Sequence, residues 1–188
     1  MLHFAKCLTV VLLVTLLTGC PYDFKVPLGT PQQHGFDNRL MGDWVLDDPK
    51  RRDPSLLASV LPLNETEYLV QVEFMNGDRQ RFRAFSVRIG DQEFWNINLI
   101  RTPHPSPDYM LARSRFAPDG RLFLRFIGTN IPASLASDAA GLRDHIQSNL
   151  TNPALDDDDG EYVWRRPALG EIEKRRLRSW SAPSPLTK

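Results

Sequence analysis

The chain has 188 residues, with 23 basic and 23 acidic side chains, a formal net charge of zero and 41% hydrophobic residues. That balance excludes the strongly basic surface of a general nucleic-acid binder. The apolar content excludes a wholly disordered chain, and the length suits one domain with a tether.

Residues 1–19 divide into a short start carrying Lys6, an apolar run from Leu8 to Leu17, and the small pair Thr18-Gly19. The run is too short to span a bilayer, which takes ~20 apolar residues, but it fits a secretory signal. Its end, Leu17-Thr18-Gly19-Cys20, resembles the bacterial lipobox. The resemblance implies cleavage between Gly19 and Cys20, with lipid on Cys20. Three acyl chains would anchor the protein firmly, since one alone binds only reversibly. Pro21, where aspartate would resemble an inner-membrane retention signal, points to the outer membrane and its periplasmic side. Cys7 falls within the removed part, so no disulfide or catalytic thiol is expected afterwards.

Residues 20–38 then form the lipidated cysteine and a flexible tether, rich in Pro, Gly and Gln and without period. A β-rich domain is expected over 39–167. Tyr68, Val70, Val72 and Phe74 alternate with Leu69, Gln71 and Glu73, and Leu122, Leu124 and Phe126 alternate likewise, as half-buried strands do. Turn signals at Asn76-Gly77, Gly90-Asp91 and Ala117 to Gly120 separate such runs. The strands fall near 41–47, 56–62, 67–75, 79–89, 93–101, 108–116, 121–127 and 161–166. A parity switch, from Phe82 and Ala84 to Phe85, Val87 and Ile89, predicts a bulge or bend near Ala84. The fold class is mainly β: an antiparallel meander of about eight strands, forming a small barrel or strongly curved sheet.

One helix is expected before the last strand. Ser137-Asp138 is its capping signal, and Leu135, Ala139, Leu142, Ile146 and Leu150 recur at helical spacing, a stripe that suits packing on the sheet. The tail, 168–188, carries Lys174, Arg175, Arg176 and Arg178 beside Trp180. It reads as a basic, partly disordered segment able to touch anionic headgroups.

Within the domain, Gly42-Asp43-Trp44 on the first strand resembles the lipocalin (calycin) signature. In that superfamily the tryptophan plugs the closed end of an eight-stranded barrel, and an arginine from the barrel's end packs over it. Arg165 or Arg166, in "EYVWRRP", would supply that arginine. Asp108-Tyr109 resembles a second lipocalin motif, with Pro107 in place of threonine. The resemblance implies that Gly42, Trp44, Asp108, Tyr109, Arg165 and Arg166 form a pocket floor; a solid core around Trp44 is the alternative. In lipocalins the helix follows the eighth strand, whereas here it precedes the strand with the arginine.

Metal and catalytic signatures are weak. His34, His104 and His145 stand far apart, without H-E-x-x-H. "LDDDDG", Leu155 to Gly160, lacks the end carboxylates of an EF-hand loop. G-x-S-x-G, Walker A and G-x-G-x-x-G are missing, and His104 with Asp108 is the one dyad in view. No catalytic residue, metal or cofactor is expected. The expected function is a membrane-anchored periplasmic binding or accessory module. Its partner is a small apolar ligand, as for a lipocalin-like carrier, or an envelope protein in structure or assembly.

Overall fold

The computed structural model describes residues 24–31, 37–47, 57–74, 76–101, 106, 108–128, 130–156 and 160–181. Eight antiparallel strands follow one another around a closed barrel: β1 (Gly42–Leu46), β2 (Leu57–Pro62), β3 (Tyr68–Glu73), β4 (Arg79–Ile89), β5 (Gln92–Leu99), β6 (Tyr109–Phe116), β7 (Leu122–Ile127) and β8 (Tyr162–Arg165). Each strand pairs with the next, and β8 returns to β1 through Val45–Arg165 and Leu46–Trp164. The strands are strongly staggered. Val45, Leu57, Glu73 and Arg79 are in register one way, and Leu46, Trp164, Leu122 and Phe116 the other. A circuit therefore returns to β4 about a dozen residues from its start, the stagger that lets a tilted sheet close.

The expected turns make the hairpins. Gly77, at φ 84°, completes the β3–β4 turn in a region that favours glycine. Gly120 N donates to Ala117 O at 3.0 Å between β6 and β7.

Two cores share the sheet. Inside the barrel sit Trp44, Ala58, Val60, Tyr68, Ala84 and Trp95. Outside, Phe85, Val87 and Ile89 of β4, Phe94 of β5, Leu111 of β6 and Ile127 of β7 carry α1 (Ala139–Ser148). Asp138 caps α1 by accepting from Gly141 N at 3.0 Å. Leu142 and Ile146 are fully buried, contributing roughly 1.5–3 kcal/mol each. Leu135 belongs to the preceding 3-10 turn (Ala133–Ser137), and Leu150 lies beyond the helix end; both still pack on this core.

β4 corrects the expected bulge. Its register is continuous with β3 through Ala84 and with β5 through Ile89. The parity switch arises because both faces are buried: Phe82 and Ala84 point into the barrel, and Phe85, Val87 and Ile89 lie under α1.

The flexible tether is corrected over 24–31, where the chain is a docked strap. Phe24 and Leu28 are 4% and 1% exposed in the outer core. Phe24 and Tyr109 exchange backbone bonds of 2.9 and 2.7 Å, and Leu28 N donates to buried Asn96 Oδ1 at 2.6 Å. Two apolar side chains and a buried amide acceptor outweigh the prolines and glycines around them. Within the tail, Glu171–Ser181 form a helix, α2, and residues 182–188 lie outside the described residues. Residues 1–23 lie outside the described residues, and with them Gly19 and Cys20.

Candidate functional site

The staggered barrel has two unlike ends. At one, the turn leading through Leu40 into β1 meets Gly42, Tyr68, Glu93 and Phe116. At the other, the mouth, lie Glu73, Leu99, Tyr109, Ile127 and Tyr162. Between them a cavity of about 290 Å³ runs from Leu40 and Trp44 towards Phe74, Met110, Phe126 and Tyr162. No charged side chain lines it. The space exists because Ala58 and Ala84 occupy inward positions whose cross-strand partners on β3 and β5 are the larger Val72 and Ile97. The cavity lies within the barrel, not beneath α1, which packs outside.

The indole N–H groups at the floor are satisfied without a ligand. Trp44 Nε1 donates to Leu40 O at 2.7 Å, and Trp95 Nε1 to Ser114 Oγ at 2.8 Å. Their carbon surfaces remain for the cavity. Tyr68 packs on Trp95 with ring centroids 5.2 Å apart. Its hydroxyl accepts from Asp37 N at 3.0 Å, and burial raises the phenol pKa.

Arg166 seals the floor from outside. Its Cζ lies 3.9 Å from the Trp44 ring, while Nη1 and Nη2 donate to Asp43 O at 3.1 Å and Arg39 O at 2.6 Å. Burial lowers its pKa. Gly42 makes room: it has φ 97°, and an added Cβ would sit 3.3 Å from Arg166 Nη1.

Arg165 does not join this group. It turns outward to Glu171, at 2.8 Å, and to Asp47, at 3.3 Å. Hydrogen bonds from Arg165 above all, then from Ala168 N and Arg175, hold the Glu171 carboxyl down at about 2 against the opposing effect of burial. Asp108 and Tyr109 are also elsewhere, which corrects their place in a shared floor with Trp44. Tyr109 opens β6 at the mouth end with Asp108 just before it; Asp108 pairs with Lys25, and Tyr109 joins the outer core beside Phe24. The register around β5 and β6 places them there, since Tyr109 faces Asn98 near the end of β5.

His34, His104 and Asp157 to Asp159 fall outside the described residues, so the His104–Asp108 dyad does too. Among the described residues, no three His, Cys, Asp or Glu side chains are grouped to hold a metal ion.

A wider surface basin, about 590 Å³, lies beside the closed end and includes Arg39, Arg113, Arg115 and Arg125. Each of these has a carboxylate partner: Asp37 for Arg39, Asp156 for Arg113 and Arg125, and Glu161 for Arg115.

The sequence reading misses Ala58, Ala84, Trp95 and Trp164 as cavity-lining residues. Their signal is inward parity with small side chains on two strands, which becomes useful only once the register is known. The barrel is compatible with a lipocalin-like fold. No family model matches the chain, and neither a curated protein nor a solved structure shows significant similarity to it.

Proposed function

We propose that this protein is a non-enzymatic, lipid-anchored carrier. Cys20 holds it in the bacterial outer membrane, facing the periplasm, and the barrel takes up one small apolar ligand. The observation that carries this reading is the uncharged cavity of about 290 Å³ above Trp44. Its size is near the lower end of the roughly 300–1,000 Å³ usual for small-molecule sites. Its lining offers aromatic and aliphatic surface and almost no hydrogen bonding, so it favours hydrocarbon over polar solutes. The rival role, an envelope assembly partner with a filled interior, has less support. Among the described residues the exposed large hydrophobics are Leu61, Leu63, Ile100, Leu169 and Leu177, and scattered exposure of this kind is ordinary.

The test is titration with N-phenyl-1-naphthylamine, followed by its fluorescence. Binding to the wild type is expected, with at least a tenfold loss in Ala84→Phe and Ala58→Leu, each shown to be folded by circular dichroism. Absence of binding in the wild type, or full binding in both folded variants, overturns the carrier reading. Mass spectrometry tests the anchor separately: an unmodified Cys20, or a retained Lys6, overturns it.

A further inference from the structure

We infer that the barrel mouth is the face turned to the phospholipid leaflet, so that an acyl chain passes from the bilayer into the cavity along the barrel axis. This rests on Cys20 being the anchor. Three features of different origin meet at that end.

The first is the strap. Phe24 is fixed to Tyr109 at the mouth end of β6. Cys20 stands four residues before it. Four residues of fully extended chain span at most ~14 Å. The lipid attachment point is therefore confined to the neighbourhood of the mouth. A flexible tether over the whole of 20–38 would impose no such limit.

The second is α2. It starts beside β8, where Arg165 holds Glu171, and runs towards the mouth, where Arg176 Nε meets Glu73 Oε2 at 3.6 Å. Exposed Lys174, Arg176 and Leu177 thus lie towards the mouth. A basic helix with an exposed apolar residue suits an anionic leaflet.

The third is the mouth itself. Phe74, Phe82, Met110, Phe126 and Tyr162 continue the apolar lining outward from Trp44. Arg79, Arg81 and Arg101 are exposed around it. Among the described residues there, the acids Glu73, Asp108 and Asp47 are paired with Arg79, Lys25 and Arg165, and Asp78 accepts from Asn76 Nδ2 at 2.5 Å. The basin beside the closed end, lined by Arg39, Arg88, Arg113, Arg115 and Arg125, is the competing lipid-facing surface. Among the described residues, all of these except Arg88 are engaged by carboxylates, whereas of Arg79, Arg81 and Arg101 at the mouth Arg79 is the one engaged in this way.

The experiment uses the mature lipidated protein in vesicles of phosphatidylethanolamine and phosphatidylglycerol. A nitrobenzoxadiazole label is placed through Asn76→Cys, in the mouth-end turn, or through Asp119→Cys, in a closed-end turn; both positions are exposed. Quenching is read with nitroxide headgroup lipids. The Asn76 label should lose at least half its fluorescence, and the Asp119 label should be unchanged. A protein that co-floats with the vesicles but shows equal quenching, or stronger quenching at Asp119, overturns the orientation alone. Failure to co-float overturns the anchor, and the orientation with it.

Discussion

Arg166 lies over the face of Trp44, with Cζ 3.9 Å from the ring centroid, and ties the end of β8 to the start of β1. Its two backbone acceptors, Asp43 O and Arg39 O, belong to the strand and the turn that close the barrel. A guanidinium over an indole gains ~0.5–2 kcal/mol, and hydrogen bonds to a charged group add ~1.5–3. Arg166→Ala should therefore cost about 2–4 kcal/mol, lowering the thermal midpoint by roughly 5–10 °C. Arg166→Lys should recover less than half, because an ammonium lacks the planar fork. Thermal unfolding by circular dichroism measures both. An unchanged midpoint in Arg166→Ala would remove the closing role.

Gly42 tests the same closure through the backbone. At φ 97° an L side chain is strained, and its Cβ would press on Arg166 Nη1. Gly42→Ala should cost roughly 1 kcal/mol or more, since it adds strain where glycine has none. The control is Gly77→Ala, also at positive φ but with open space around it. Comparable thermal shifts in the two variants would show that the Arg166 contact contributes nothing.

The strap predicts a large effect from one side chain before the first strand. Leu28 is 1% exposed against the outer core. Leu28→Ala should cost about 2–5 kcal/mol, the range for emptying a packed leucine site. The urea midpoint should fall with little change in slope. A loss near zero would return residues 24–31 to the status of a tether.

Acid should loosen α2 selectively. The Glu171 carboxyl, held at about 2 by Arg165, Ala168 N and Arg175, titrates below its ordinary value of 4.5. Its contribution is full above about pH 4.5 and declines as pH falls towards 2. Protection factors of the α2 amides, which remove the intrinsic pH dependence of exchange, should fall as pH drops through that window in the wild type. In Glu171→Gln the protection should already be low at neutral pH and should show little further dependence. The same acid sensitivity in both proteins would exclude Glu171 as the cause.

The sheet was legible because its signals are local. Alternation along β3 and β7, and glycine turns after β3, β4 and β6, need only neighbouring residues. The helix was legible from its cap and stripe for the same reason. The strap was not, because Phe24 and Leu28 are held by Tyr109 and Asn96, far along the chain. Composition describes residues 24–31 as loop-like, and tertiary contacts override it. The choice between Arg165 and Arg166 also lay beyond sequence. Adjacent positions at the end of a strand differ only in which way they point, and register decides that. Cavity volume was hidden for a related reason: Ala58 and Ala84 are unremarkable small residues until the circuit of strands sets them around the same space.

The seam between β1 and β8 bears on how the chain acquires its fold. Two residue pairs close it, Val45–Arg165 and Leu46–Trp164, joining the first strand to the last. Contacts so distant in sequence carry a large loop-closure cost and form slowly. A chain delivered from its N-terminus therefore holds β1 with one unpaired edge until β8 arrives. Such edges invite pairing between molecules. Arg166, one residue beyond β8, becomes the latch that converts this late, sparse pairing into a closed state. Refolding yield, more than final stability, is where loss of that latch should first be felt.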